Sequence, residues 1–474
     1  MYPHPVIIGA GPAGLAAAYE LVKRNIQPIV LEKADKVGGL ARTELYRGYR
    51  FDIGGHRFFT KVEGVQRLWQ ELLGEDFLKV PRLSRIYYHG HLFNYPLDFF
   101  NALYNLGIVE SLLILLSYFK ARLRPYSEEE TFEQWMTNRF GKRLFETFFK
   151  TYTEKVWGIP CHEIQATWAV QRIKGLSLTA AVSNALFDIN NAKSLIKGFH
   201  YPVLGPGMMW QRFQEVVESR GGQVRLNTEV IRLRREGHRI ENIIAQHDGN
   251  MIEMPGEHFI SSMSLDELIT RFDPPPPTNV MQAAHKLSYR AFILVGLVVG
   301  RAELFPDQWI YIHSPEVKVG RVQNFKNWSS AMIPDSQKTS LGMEYFCTEG
   351  DDIWTMSDAE LVQLATRELS SLGLADISDA EDGVVFRQPK AYPVYDHEYH
   401  EHLQVIQRFL ATIDNLQTIG RNGMHRYNNQ DHSMLTGTLA ARNLLREDHD
   451  LWSVNTERSY YEEFSREWLR RNSP

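Results

Sequence analysis

Near its start the chain reads Val6-Ile7-Ile8-Gly9-Ala10-Gly11-Pro12-Ala13-Gly14, an apolar run followed by three glycines at fixed spacing. Gly9 permits a tight turn, and Gly11 lets the backbone approach a pyrophosphate. Gly14 lets the helix expected over residues 13–23 pack close to the preceding strand. The start of that helix offers free N–H groups and the positive end of its dipole to phosphates. A second apolar run over residues 28–31 ends in Glu32. That acid lies about 20 residues past the glycines, where a ribose needs an acceptor for its hydroxyls. The chemistry indicated is dinucleotide binding, against the plainer reading of a glycine turn with no ligand.

Two further features narrow the dinucleotide. Gly38-Gly39 follows the acid, and Arg42 supplies a cation within reach of a pyrophosphate. Phe51-Asp52-Ile53-Gly54-Gly55-His56 then brings a short strand to a second glycine pair. The arrangement resembles the FAD-binding start of the glutathione-reductase-like flavoproteins, which include amine oxidases, protoporphyrinogen oxidase and UDP-galactopyranose mutase.

Within that superfamily the mutases are resembled most. Gly54-Gly55-His56-Arg57-Phe58-Phe59 is similar to their "GGH" motif, and Asn94-Tyr95-Pro96 to their "YP" segment. Residues 152–160 with Trp168 to Arg172 resemble their flavin-facing helical segment. Gly420-Arg421-Asn422-Gly423 with Arg426-Tyr427 is similar to "GRxGxxRY", and Asn429-Gln430-Asp431-His432-Ser433 to "NQDHS". The resemblance runs from Val6 to about Leu445. It implies FAD, active in its reduced form, with NAD(P)H as one source of electrons. It also implies a nucleotide-diphosphate sugar as substrate. The flavin N5 acts as the nucleophile at the anomeric carbon, and pyranose and furanose forms interconvert with no net redox change.

The resemblance assigns residues to these tasks. Gly9, Gly11, Gly14, Glu32, Gly39, Arg42, Gly54, Gly55, His56, Val230, Gly420, Arg421, Asp431 and Ser433 fall to the cofactor. Arg172 and Arg321 fall to the diphosphate, for which two guanidinium forks are suited; structural salt bridges are the competing use. Tyr311, Tyr392 and Tyr427 match tyrosines lining the diphosphate and sugar site, with core packing as the alternative. His56 matches a histidine beside the reactive edge of the flavin. Arg421 matches an arginine next to the flavin, or caps its strand. Tyr95, Phe148 and Trp157 fall to the substrate side, Phe148 and Trp157 as faces for a flat ring or as plain core. Asp98 and Thr153 depart from the mutase pattern and put the sugar and nucleobase in doubt. An FAD oxidase or desaturase of the amine oxidase or protoporphyrinogen oxidase type remains the rival reading.

The elements that must position these residues are discontinuous. With 474 residues the chain needs more than one core. The expected fold is α/β: a Rossmann-like FAD-binding domain from residues 1–64, 196–265 and 415–446. A helical insertion is expected over 65–195, an antiparallel sheet domain over 266–414, and a C-terminal helix within 447–474. The tail from about 456 to 471 offers a face for a homo-oligomer or a cover for the fold. Pro274 to Pro277 read as a stiff connector.

Composition excludes some functions. A net charge of −5 gives no electrostatic case for nucleic acid. The two cysteines, Cys161 and Cys347, have no metal-ligand spacing and suit a reducing cytoplasm. The apolar stretch 112–119 is well short of the ~20 residues that a membrane span requires. A buried helix is the expectation there. Peripheral membrane contact through its apolar residues and the following Lys120, Arg122 and Arg124 is the alternative.

Overall fold

Five three-residue strands gather into one parallel sheet from three distant stretches of chain. In order they are Leu416–Thr418, Phe259–Ser261, Val6–Ile8, Ile29–Leu31 and Gln223–Arg225. The computed structural model describes residues 4–95, 99–166 and 198–455. Helix Pro12–Val22 follows the first strand, and its alanines are buried. Their small side chains let helix Gln430–Asn443 pack on it so closely that a Cβ at Gly437 would lie 2.0 Å from the Ala13 carbonyl oxygen. Fold class is therefore as expected: mixed α/β, with a doubly covered parallel sheet at one end.

A four-stranded sheet, ordered Asn250–Pro255, Arg239–His247, Thr228–Glu236 and Phe272–Asp273, lies beside it and shares its apolar core. The largest sheet has seven strands. Their order is Ala380–Pro393, Tyr289–Val299, Thr339–Cys347, Arg321–Asn324, Trp309–Ile312, Ser84–Tyr88 and His91–Asn94. Strand Tyr289–Val299 explains how one apolar run serves two cores. Ile293, Val295, Leu297 and Val299 pack toward helix Asp358–Ser371, while Phe292, Leu294 and Val298 pack on the opposite face with Phe51 and Phe325. Both faces are covered, so the strand reads as continuously apolar.

Two expectations are corrected. The helical periodicity that begins in residues 65–73 is realised as helix Glu63–Leu73, but the chain then forms strands Phe77–Pro81, Ser84–Tyr88 and His91–Asn94. The last two join the seven-stranded sheet, so the helical insertion begins only at Phe99. The second correction concerns the apolar stretch near Leu112. It lies in helix Phe99–Leu123, broken at Gly107 (φ 79). Only part of it is buried: Leu112 is 55% exposed, Leu116 66% and Phe119 60%. The helix docks through Ile114, Tyr118 and Ala121 instead. The remaining helices here, Phe132–Phe140, Lys142–Phe145 and Thr151–Trp157, enclose Phe132, Trp135, Phe145 and Phe148. The expected helix over 456–471 lies outside the described residues.

Candidate active site

One cavity of about 990 Å³ runs from the parallel sheet to the helical wall. Its floor is set by the first turn. Gly9, at φ 98, adopts a backbone that side chains disfavour, and a Cβ there would lie 2.2 Å from Ser262 Oγ. A Cβ at Gly14 would lie 1.9 Å from the Gly9 carbonyl oxygen, so Gly14 serves helix packing and does not itself line the cavity. Gly11 and Gly39 meet backbone to backbone, with 3.2 Å between a Cβ at Gly39 and the Gly11 Cα. Glu32 ends its strand buried at the cavity edge. It accepts from the backbone N–H of Ala10 at 2.7 Å and of Ala34 at 2.9 Å. A carboxylate has about four acceptor positions, so two remain for ribose hydroxyls.

The other cofactor candidates come from distant segments. Gly54, Gly55, His56, Val230, Gly420, Arg421, Asp431 and Ser433 all line the cavity. Gly420, at φ 81, turns the chain out of the last strand, and its N–H donates to Thr436. Asp431 sits in the first turn of helix Gln430–Asn443. Burial lifts its carboxyl to about 7, and neither oxygen meets hydrogen-bond geometry with a described group. A buried acid aimed into a cavity fits a polyhydroxylated ligand that donates to it. Arg42 is placed differently from expectation. It lines the cavity, but its Nε donates to Glu44 at 2.6 Å and its Nη1 to Gln388 at 2.5 Å, so its charge is already paired.

Strand register builds the opposite wall. Tyr311 pairs with Arg321, and Arg321 with Glu344, on three adjacent strands. Arg321 Nη2 lies 2.5 Å from Glu344 Oε2, and Nε donates to the same oxygen at 2.6 Å. Gln323 donates to the other carboxylate oxygen. Burial opposes the charge on Arg321, but Glu344 and the hydroxyls of Tyr152, Tyr392 and Tyr311 outweigh it and raise its pKa further. Burial in turn raises Glu344, which Arg321 and Gln323 pull back down. A guanidinium does not give up its proton, so Arg321 stays charged; Glu344 takes up its Nε and Nη2, and Nη1 is not part of that pair. A Cβ at Gly55 would come within 3.6 Å of Arg321 Nη1, so the arginine lies beside the glycine turn with room for little more than the missing side chain.

His56 extends that contact. Its Nε2 donates to the Ile53 carbonyl at 2.8 Å. Burial, with Arg421 and Arg321 nearby, pushes its pKa down to about 4. The ring is neutral with its proton on Nε2. Arg421 stands 4.6 Å from the ring centre of Tyr427 and 5.5 Å from that of Tyr392. Those two rings stack, 5.6 Å apart and 17° from parallel. Arg421 also donates to the carbonyls of Asn428 and Ala391, so it joins two loops as well as facing the cavity.

Aromatic groups fill the far end. Tyr95 meets Tyr311 edge-on at 5.2 Å. Phe148 and Phe149 belong to the π-helical turn Glu146–Lys150, and both line the cavity. Trp157 is buried, with its ring stacked 6.2 Å from Tyr395. Phe132, Phe140 and Leu144 make this end apolar. Of the other sequence-derived candidates, Arg172 lies outside the described residues, as do Pro96 and Asp98. Every other candidate except Gly14 lines the one cavity.

Several site residues were not anticipated. Glu344 is a lone acid inside the buried strand Thr339–Cys347, a pattern that demands a cationic partner. His313 stacks at 4.8 Å on Tyr152, the first residue of the expected flavin-facing segment, and Tyr152 meets Tyr311 at 5.5 Å. Lys390 lines the cavity while donating to Asp266 and Glu267. Among the described residues no cluster of metal-binding side chains occurs, and no helix is long and apolar enough to cross a membrane.

Known proteins agree with this architecture. The family model "Flavin containing amine oxidoreductase" matches residues 12–445. A Mycobacterium tuberculosis protein named "Putative flavin-containing monoamine oxidase AofH" is 24% identical over 59% of this chain; the match spans 61% of that relative's length. A crystal structure of reduced UDP-galactopyranose mutase superposes with a TM-score of 0.84 at 23% identity, covering 96% of this chain and 98% of that one. The "Putative protoporphyrinogen oxidase" of Exiguobacterium sp. 255-15 superposes with a TM-score of 0.73 at 15% identity, covering 94% and 100%. The glycine cradle, Glu32 and the buried Asp431 fit FAD. The chain belongs to the flavin-containing amine oxidoreductase family and is an FAD enzyme.

Proposed function

We propose that the chain is a flavin-dependent mutase acting on a nucleotide-diphosphate sugar of the UDP-galactose kind, interconverting its pyranose and furanose forms. The observation that carries this reading is Arg321, buried, paired with Glu344 and ringed by Tyr311, Tyr152 and Tyr392, beside the Gly54-Gly55-His56 turn. Glu344 takes up Nε and Nη2 of Arg321, and the remaining Nη1 suits a diphosphate leaving group. Reduced FAD supplies the nucleophile of this chemistry. In the reading proposed here, Gly9, Gly11, Gly39 and Glu32 bind the dinucleotide, and Val230, Gly420, Asp431 and Ser433 complete its enclosure. His56 presents a neutral ring beside the glycine turn, so it adds no charge there. Arg321 holds the diphosphate before and after it leaves, with the tyrosine hydroxyls of Tyr311, Tyr392 and Tyr427 as donors. Arg172 is proposed as the second cation. The aromatic enclosure of Phe148 and Trp157 keeps water from the sugar carbon.

The apolar end, with Phe132, Phe140 and Leu144, favours a second reading: an oxidase or desaturase of an apolar substrate. UDP titration of the FAD-loaded protein separates the two. Wild type is expected to bind UDP, and Arg321→Ala to bind it at least tenfold more weakly with flavin content unchanged. Absence of UDP binding by wild type would favour the oxidase.

A further inference from the structure

Helix Phe99–Leu123 displays an apolar face that no described part of the chain covers. Past the break at Gly107, Ile108, Leu112, Leu116, Phe119 and Leu123 recur at three- and four-residue steps and are all exposed, with Ile108 at 73% and Leu123 at 83%. The orientation is fixed by the opposite face. Arg143 pairs with both carboxylate oxygens of Glu110, at 2.6 and 2.7 Å, and its backbone N–H donates to Ser117. A Cβ at Gly141 would lie 2.7 Å from the Tyr118 nitrogen, so the two backbones are in contact. Turning the helix over would break each of these and would expose Ile114, Tyr118 and Ala121, which are buried on the same side. The outer face continues into Lys120, Arg122 and Arg124, all exposed and none in an ion pair with a described residue. Three unpaired cations beside an apolar stripe stand out on a chain whose net charge is −5.

We infer that this face, over residues 108–124, seats the protein on an anionic lipid bilayer, with the apolar side chains entering the headgroup region and the three cations meeting lipid phosphates. The face lies along the surface and does not cross it. No helix among the described residues is suited to spanning. The segment before the break at Gly107 reaches the active site, where Ala102 lines the cavity.

The test is flotation of the FAD-loaded protein with phosphatidylcholine vesicles, with and without phosphatidylglycerol. Wild type is expected to float with the anionic vesicles, less so as salt rises. The triple variant Leu112→Ser, Leu116→Ser, Phe119→Ser should lose at least ~tenfold of that binding, while its flavin content and melting temperature stay put because the sites are exposed. Replacing Lys120, Arg122 and Arg124 with Gln should reduce binding to the level seen without phosphatidylglycerol. Wild type that stays unbound, or a triple variant that floats as well as wild type, overturns the proposal. So does a wild-type dimer, seen by sedimentation, that the triple variant dissolves without any change in flotation.

Discussion

Glu344 stands directly across from Arg321 on the neighbouring antiparallel strand, and their side chains meet in a buried ion pair on the cavity wall. Removing one partner of such a pair leaves an uncompensated buried charge, whereas removing both does not. Glu344→Ala is expected to lower stability by roughly 3–5 kcal/mol. The double variant Arg321→Met, Glu344→Met should recover most of that loss in urea unfolding, yet bind no UDP. Recovery of UDP binding in the double variant would show that the cation serves the fold alone.

The glycines of the first turn differ sharply in what surrounds them. Gly14→Ala sets a methyl group 1.9 Å from a carbonyl oxygen, so the helix must move off the strand that carries the turn. A cost of about 1–3 kcal/mol and weaker FAD retention on gel filtration are expected. Gly64 is the control. It lies in helix Glu63–Leu73 with nothing within 4 Å of a Cβ, and Gly64→Ala should be neutral or stabilising by up to about 1 kcal/mol.

Acid sensitivity follows from His425. Burial pushes its pKa down to about 4 from an ordinary 6.5, so between those values the unfolded chain binds a proton that the folded one refuses. Its contribution to stability is present above pH 6.5 and falls as pH drops through 6.5 toward 4, by up to about 3 kcal/mol. His425 also holds a left-handed backbone, φ 43, which asparagine tolerates. Urea midpoints of His425→Asn measured from pH 7 to pH 4.5 should fall less steeply than those of wild type.

The neutral state of His56 is directly observable. With its pKa pushed down to about 4 and Nε2 donating to Ile53, the nitrogen shifts of its ring should remain those of the Nε2–H tautomer from pH 5.5 to 8. Titration of this ring near pH 6.5 would contradict the buried geometry.

The first turn was legible in the sequence because a buried parallel strand is a bare apolar run and glycine punctuates it. Val6–Ile8 and Ile29–Leu31 are such runs, whereas Leu416–Thr418, with Gln417 and Thr418, is marked chiefly by the Gly420 that ends it. Tyr311 and Arg321 were reachable only through family motifs, since the pairing that joins them depends on strand register. Glu344 did carry a local signal, an acid flanked by Met343 and Tyr345 in an unbroken buried strand. The helix through Leu112 was misjudged because periodicity locates an apolar stripe without saying which way it faces. Glu110 and Ser117, the polar groups that tie it down, sit on the inner side. Arg42 was assigned to phosphate by charge alone, and its neighbour Glu44 had the prior claim.

The mutase reading is tested most directly by incubating the anaerobically reduced protein with UDP-galactofuranose and separating the nucleotide sugars by chromatography. Continued conversion to UDP-galactopyranose over many turnovers, with the flavin still reduced at the end, is the predicted result. No conversion with the reduced protein, together with one-to-one bleaching of the oxidised flavin by an amine or an apolar substrate, would contradict it.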